Sequence, residues 1–151
     1  MFELSSAQLS IQQNARRLAQ GHIADRASEI DISEEYPWDT VQKLSSARLM
    51  GMTIPKRFGG GGNSYFDAVI AIEEIAKYCG ITGRIVVEGN MGAIGAIMKY
   101  GTDEQKAMAA RYVLAGDKPA ICITEPEAGS AATEIKTIAE KVTPRKAIFL
   151  F

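Results

Sequence analysis

At 151 residues, 46% hydrophobic and 23% charged, the chain has the make-up of one globular domain rather than a disordered or fibrous segment. Its 17 basic and 18 acidic side chains leave a net charge of −1 and are interspersed, which excludes the basic block of a nucleic-acid or anionic-membrane binder. No apolar run approaches the ~20 residues of a bilayer span, and the opening MFELSSAQLS lacks the basic and apolar regions of a secretory leader. A cytoplasmic protein, with no membrane and no nucleic-acid partner, is expected. Cys79 and Cys122 have no metal-ligand spacing and read as small buried thiols in a reducing compartment.

In chain order, SSAQLSIQQNARRLAQGHIADRASEI opens with capping serines and repeats Ile11, Ala15, Leu18 and His22 at helical spacing. His22, the one histidine, reads as a packing residue of that helix. A second helix follows in YPWDTVQKLSSARLMG, with Pro37 suited to its first position and Gly51 to its end. MTIPKRFGGGGNS is a loop, because Pro55 and the run Gly59 to Gly62 suit no regular element. A third helix restarts at Ser64, three residues before Asp67, in a near capping box, and is apolar on more than one face.

TGRIVVEGNMGAIGAIMKYG is divided between readings. Ile85, Val86 and Val87 favour a strand, whereas its length and the spacing of Met91, Ile94 and Met98 favour a helix, which is the reading adopted. A fifth helix runs from a Thr102 to Gln105 capping box, with Asp103 and Glu104 at the positive end of its dipole, to Gly116. Met50, Met52, Met91, Met98 and Met108 read as core filler. Beyond Gly116 the texture changes. KPAICIT is short, β-branched and bounded by Pro119, and is predicted as a strand. TEIKTIAEKVT fits a second strand or a helical turn, and AIFLF at 147 to 151 is β-prone. The division expected is therefore 1–116 all-α and 117–151 the start of a β unit.

Chemistry gathers in ICITEPEAGS, Ile121 to Ser130. A Thr hydroxyl closes an apolar run, then Gly129 admits close backbone approach and Ser130 offers a hydroxyl and an N–H. By spacing alone, an ordinary surface loop explains it as well. Glu88 is the second point of interest, a carboxylate among Val86, Val87, Met91 and Ile94 that is costly to bury unless paired. From the residues alone it reads as a partly exposed helix residue paired with Arg84 one turn earlier.

ICITEPEAGS resembles the flavin-binding signature of the acyl-CoA dehydrogenases, in which a Thr-Glu-Pro run precedes Ala-Gly-Ser. EYPWDTVQKLSSARLMGMTIPKRFGGGG resembles the same family's early helix and Gly-rich turn. VEGNMGAIGAIMKYGTDEQKAMAARYVLAG resembles its helix pair before the signature. With three motifs in family order, the chain is identified as a member of the acyl-CoA dehydrogenase family. The resemblance implies a mainly α fold, the family's N-terminal helical domain with the first strands of its middle β-barrel, the remainder of the family's length being absent from these 151 residues.

It further implies FAD, with Ile121, Ile123 and Thr124 along the flavin ring and Gly129 and Ser130 near the ribityl-pyrophosphate arm. Ser130 and Glu88 are implied to touch the acyl-CoA substrate. Ala131 stands where the family usually has Asp. The activity implied is α,β-dehydrogenation of an acyl-CoA in fatty-acid metabolism: a Glu base takes the α-proton, a hydride passes to flavin, and an electron-transfer flavoprotein collects the electrons. That base lies in a region of the family beyond this sequence, so no catalytic residue is assigned and the chain alone is expected to be inactive. No family match is visible from about Val142, in VTPRKAIFLF, for which a truncation, a frameshift or an engineered cut are the alternatives. The alternatives for function are a family relative running another acyl-CoA reaction, such as desulfination or oxygenation, and a non-catalytic, self-associating helical module. A homo-oligomer is expected.

Overall fold

The computed structural model describes residues 3–143 and 146–150, which fall into two compact units, Met1–Ala120 and Ile121–Phe151. The first unit is helical throughout. Helix α1 spans Ser6–Leu18, α2 Ala24–Ser33, α3 Trp38–Ser46, α4 Tyr65–Ala76, α5 Gly80–Asn90, α6 Ala93–Tyr100 and α7 Asp103–Leu114. The mainly α fold expected from sequence is the one observed.

Starts follow the expected chemistry. Ser5, Ser64 and Thr102 each accept a hydrogen bond from the third residue of their helix, whose Gln8, Asp67 or Gln105 side chain returns one to the cap N–H. Interruptions do not follow it. The first expected helix is broken by a π-helical turn, Ala19–Ile23, with Gly21 off the helical range at φ −95, ψ −107. The fourth is broken between α5 and α6, where Gly92 has φ +64, a conformation that suits glycine. The strand alternative for Ile85 to Val87 is not realised, because that stretch packs along α4 as α5. Pro37 sits one position before the first helical residue, and α3 ends at Ser46 rather than near Gly51.

One core cluster draws on α1 to α5: Ala15, Ile23, Ile30, Val41, Leu44, Ile75 and Val86 are all at most 2% exposed. A smaller one, Ile54, Ile94, Ala110 and Val113, joins α6 and α7 to the Gly-rich loop. Such close packing is where most of the unit's stability arises. The loop is a fixed turn. A Cβ at Gly60 would lie 2.2 Å from the Ile54 carbonyl oxygen, so only glycine fits. Asn90, fully buried, ties this loop to α5: its amide accepts from Met52 N at 2.6 Å and donates to Leu49 O and Val86 O at 2.8 Å each. Met50 and Met52 are core, as expected, but Met108 is 53% exposed on the outer face of α7.

The second unit holds a 3₁₀ turn, Ala132–Glu134, and an antiparallel hairpin of β1, Ile138–Thr143, and β2, Lys146–Leu150, with a register shift between Lys141 and Thr143. Thus 133 to 143 resolves into a turn followed by a strand. The β-prone 147 to 150 pairs within the chain, while residue 151 lies outside the described residues. The strand expected at Pro119 to Ile123 is absent: Asp117 to Thr124 has no ladder partner and carries no regular structure. Propensity alone makes no strand when no neighbour supplies the hydrogen bonds.

Candidate functional site

In the second unit, Ile121 and Ile123 are half exposed, at 53% and 52%. Thr124, Gly129 and Ser130 are also exposed. Cys122, between the two isoleucines, is exposed rather than buried, for want of the strand partners that would cover it; Cys79 is buried, and both are free thiols. The turn itself is held by Glu125. Its backbone exchanges hydrogen bonds with Ala128, at 3.1 and 3.2 Å. Its carboxylate accepts from Lys136 N at 2.9 Å, Thr137 N at 2.6 Å and the Thr137 hydroxyl. The Thr137 hydroxyl and then the Lys136 amide hold this carboxyl below its usual range. Glu125 is therefore a brace that clamps the signature turn to the approach to β1. Sequence reasoning gave it no role, since its partners lie 11 and 12 residues away.

Ile121 and Ile123, both half exposed, leave apolar surface open to the planar ring of the flavin that the motifs imply. A Cβ built on Gly129 meets nothing within 4 Å, so the chain's own packing does not demand glycine there. Open space at that Cα is what close approach of a phosphate arm needs.

In the first unit Glu88 is the hub of a cleft of about 420 Å³ lined by Tyr36, Gly80, Ile81, Arg84, Ile85, Glu88 and Lys118. Arg84 Nε donates to Glu88 Oε1 at 2.8 Å, and Lys118 Nζ donates to Oε2. Lys118 above all, then Arg84, hold the Glu88 carboxyl below its usual range against the upward push of partial burial. Burial, with Asp117 and Glu88 nearby, pushes the Tyr36 phenol up, so it stays a neutral donor. Lys118 Nζ also lies 5.9 Å from the Tyr36 ring centroid. The expected pair with Arg84 is formed, and it lies at a cleft. Lys118 and Tyr36 were missed, because 30 residues separate Lys118 from Glu88 and no local pattern links them.

His22 is a polar clamp rather than an apolar packing residue. The π-helical turn brings its Nε2 to 3.2 Å from Thr40 Oγ1 and 3.4 Å from Asp39 Oδ2. No His, Cys, Asp and Glu group that could hold a metal occurs among the described residues, and no helix there is long and apolar enough to cross a membrane.

A helical unit with a Gly-rich turn, followed by a flavin-type signature, defines a class. The profile of the acyl-CoA dehydrogenase N-terminal domain matches residues 5–117, and the chain belongs to the acyl-CoA dehydrogenase family. It is similar, at 64% identity over 141 residues, to 3-sulfinopropanoyl-CoA desulfinase of Paraburkholderia xenovorans, covering 93% of this chain and 36% of that protein. It is 33% identical over 139 residues to the short-chain specific acyl-CoA dehydrogenase of Clostridium acetobutylicum, covering 91% and 37%. The butyryl-CoA dehydrogenase structure from Megasphaera elsdenii superposes with a TM-score of 0.81 at 25% identity, covering 92% of this chain and 37% of that one. The chain spans between 36% and 37% of the length of these proteins.

Proposed function

We propose that this chain is the acyl-recognising helical part of a flavin-dependent acyl-CoA enzyme, and that the reaction served is removal of the sulfinate group from a 3-sulfinopropanoyl thioester. The observation that carries the reading is the gap between 64% identity to a desulfinase and 33% to a dehydrogenase over nearly the same residues. The cleft at Glu88 supports it. The lining carries the cations Arg84 and Lys118 and the anion Glu88, with the Asp117 carboxylate close to Tyr36, so the support comes from free donors rather than from net charge. Glu88 engages Arg84 through Nε, which leaves the terminal guanidinium nitrogens for a second oxyanion. A sulfinate at the end of a short acyl chain has the matching charge and geometry.

In this reading Glu88 positions rather than reacts. With both oxygens committed, it fixes Arg84 and Lys118 on either side of the acyl end. Tyr36 supplies an apolar wall and a protonated hydroxyl. Ile121, Ile123 and Thr124 would line the flavin ring, Gly129 and Ser130 its phosphate arm, and Ser130 the thioester side as well. FAD, when bound, supplies a planar electron sink beside the thioester carbons. Residues 1–116 form the helical domain in this assignment and 117–151 begin the β-domain of a cytoplasmic homo-oligomer.

The stoichiometry of desulfination closes without an external electron acceptor. The C–S bond breaks, the carbon takes a proton from water, and the sulfur takes the hydroxide to leave as hydrogen sulfite. An electron-transfer flavoprotein is therefore a partner only in the second reading, α,β-dehydrogenation, which the match to the Clostridium dehydrogenase favours. In either reading the 151-residue chain by itself does not turn over, since it spans about a third of the relatives' length. The test follows the Arg84 Nε–H resonance in labelled chain titrated with 3-sulfinopropanoyl-CoA or with butanoyl-CoA. A shift with the sulfinate alone is expected; equal shifts, or none, would overturn the anionic reading. A visible spectrum with added FAD, followed by a sulfite assay, checks inactivity: stoichiometric yellow protein that releases sulfite contradicts it.

A further inference from the structure

Helix α7 ends in a fixed way. The Gly116 N–H donates to Val113 O and the Asp117 N–H to Tyr112 O, at 3.0 Å each, the paired bonds of a Schellman cap. Asp117 Oδ1 then accepts from the Lys118 N–H at 2.8 Å. Lys118 is gripped by its side chain as well, which is 24% exposed. Glu88 accepts from its Nζ, and the Tyr36 ring centroid lies 5.9 Å from the same nitrogen.

Past Lys118 the backbone bonds stop. Pro119 has no N–H to give, and the amides of Ala120 to Thr124 find no backbone acceptor among the described residues. The next bonds are those between Glu125 and Ala128. Residues 119–124, which carry Ile121, Ile123 and Thr124, are therefore a strap with a side-chain anchor at either end, Lys118 before it and Glu125 after it. The anchors differ. Glu125 is bound within its own unit, to residues 136 and 137, whereas Lys118 reaches 30 residues back to α5 and to a carboxylate that lines a cleft. A segment without ladder bonds takes its order from its ends, since little else offsets the entropy of fixing each residue.

We propose that Lys118 is a positioning residue for the flavin edge: its pair with Glu88 holds the start of the strap, so the carboxylate that lines the cleft also sets how ordered Ile121 to Thr124 are. Arg84, the other cation on Glu88, has no part in this, because it belongs to α5 itself and does not lead into the strap. That the strap meets flavin rests on the reading above. That Glu88 orders it through Lys118 does not, and is read without flavin or thioester.

The test is amide nitrogen relaxation in the labelled 151-residue chain, compared with that of single variants. In the parent the order parameters of Ala120 to Thr124 are expected to stay above roughly 0.6, the level of flexible backbone. They are expected to fall below it in Lys118→Met and in Glu88→Gln. The second variant decides more, because position 88 is far from the strap in sequence and no effect on chain neighbours can carry the change. Lys118→Arg keeps the charge and the reach to Glu88 and is expected to show the parent values, as is Arg84→Gln. Melting temperatures are expected to agree within a few degrees throughout, since a partly solvated pair adds little to global stability. A strap already flexible in the parent, undiminished order in Glu88→Gln, or an equal loss in Arg84→Gln would each overturn the proposal. The Arg84 Nε–H titration that tests the desulfinase reading uses none of these signals, so either can fail alone.

Discussion

Two carboxylates in the helical unit are gripped in nearly the same way and do different things. Glu74 on α4 accepts from Arg16 Nε at 3.0 Å, Arg16 Nη2 at 2.9 Å and Lys77 Nζ at 2.9 Å, with its side chain 2% exposed. Glu88 on α5 accepts from Arg84 and Lys118 with its side chain 26% exposed, at the edge of a cleft. A Glu between an Arg and a Lys is thus no signature of a site. At Glu74 nothing else can enter, and the bidentate pair staples α1 to α4, two helices in extensive contact. At Glu88 the cations keep free hydrogen-bonding capacity and face open volume. Burial separates the two: Glu74 is a strut, and Glu88 sits at the rim of a cleft.

The largest effect is expected at the strut. Glu74→Ala leaves Arg16 and Lys77 without their shared partner and opens a buried space, and about 3 kcal/mol of unfolding free energy should be lost, read by urea denaturation. Asn90→Ala should cost about 2–3 kcal/mol, as three hydrogen bonds to the loop and α5 lose their partner. Both probe the buried side of the comparison, and neither should alter the charge of the Glu88 cleft.

Acid sharpens the contrast. The Arg16 hydrogen bonds, with Lys77, hold the Glu74 carboxyl down to about 2 from an ordinary 4.5. A carboxyl depressed on folding adds stability above its unfolded value and loses that stability as pH falls through its folded one. Melting temperature followed by circular dichroism should therefore drop between about pH 4.5 and pH 2. In Glu74→Gln that part of the drop should be missing. Ser64→Ala, which removes a cap on the exposed end of α4, should cost about 1 kcal/mol. The smallest stability effect belongs to Glu88→Gln, at most about 1 kcal/mol, because this pair is partly solvated.

The helix starts were legible because a capping box is local: Ser5 with Gln8, Ser64 with Asp67 and Thr102 with Gln105 need only a spacing of three. The π-helical turn at Ala19–Ile23 was not, since nothing in AQGHI separates it from a continuous helix until His22 finds Thr40 and Asp39. The strand at Pro119 to Ile123 was misread for the opposite reason, a sound local propensity without a partner. Of the cleft at Glu88, Arg84 and Glu88 were visible as a helical pair one turn apart. Lys118 and Tyr36 reach it by tertiary folding, and the Glu125 brace likewise depends on residues more than ten positions away.

The central claim is that the cleft at Glu88 selects an anionic acyl end through the spare capacity of Arg84. The direct measurement is the ratio of affinities for 3-sulfinopropanoyl-CoA and butanoyl-CoA in the parent chain, Arg84→Gln and Glu88→Gln, by isothermal titration. The parent should prefer the sulfinate about tenfold or more. Arg84→Gln should lose that preference, and Glu88→Gln, which keeps both cations but no longer fixes them, should lower it by less. A parent that binds the two thioesters equally, or an Arg84→Gln variant that keeps the preference, would contradict the claim.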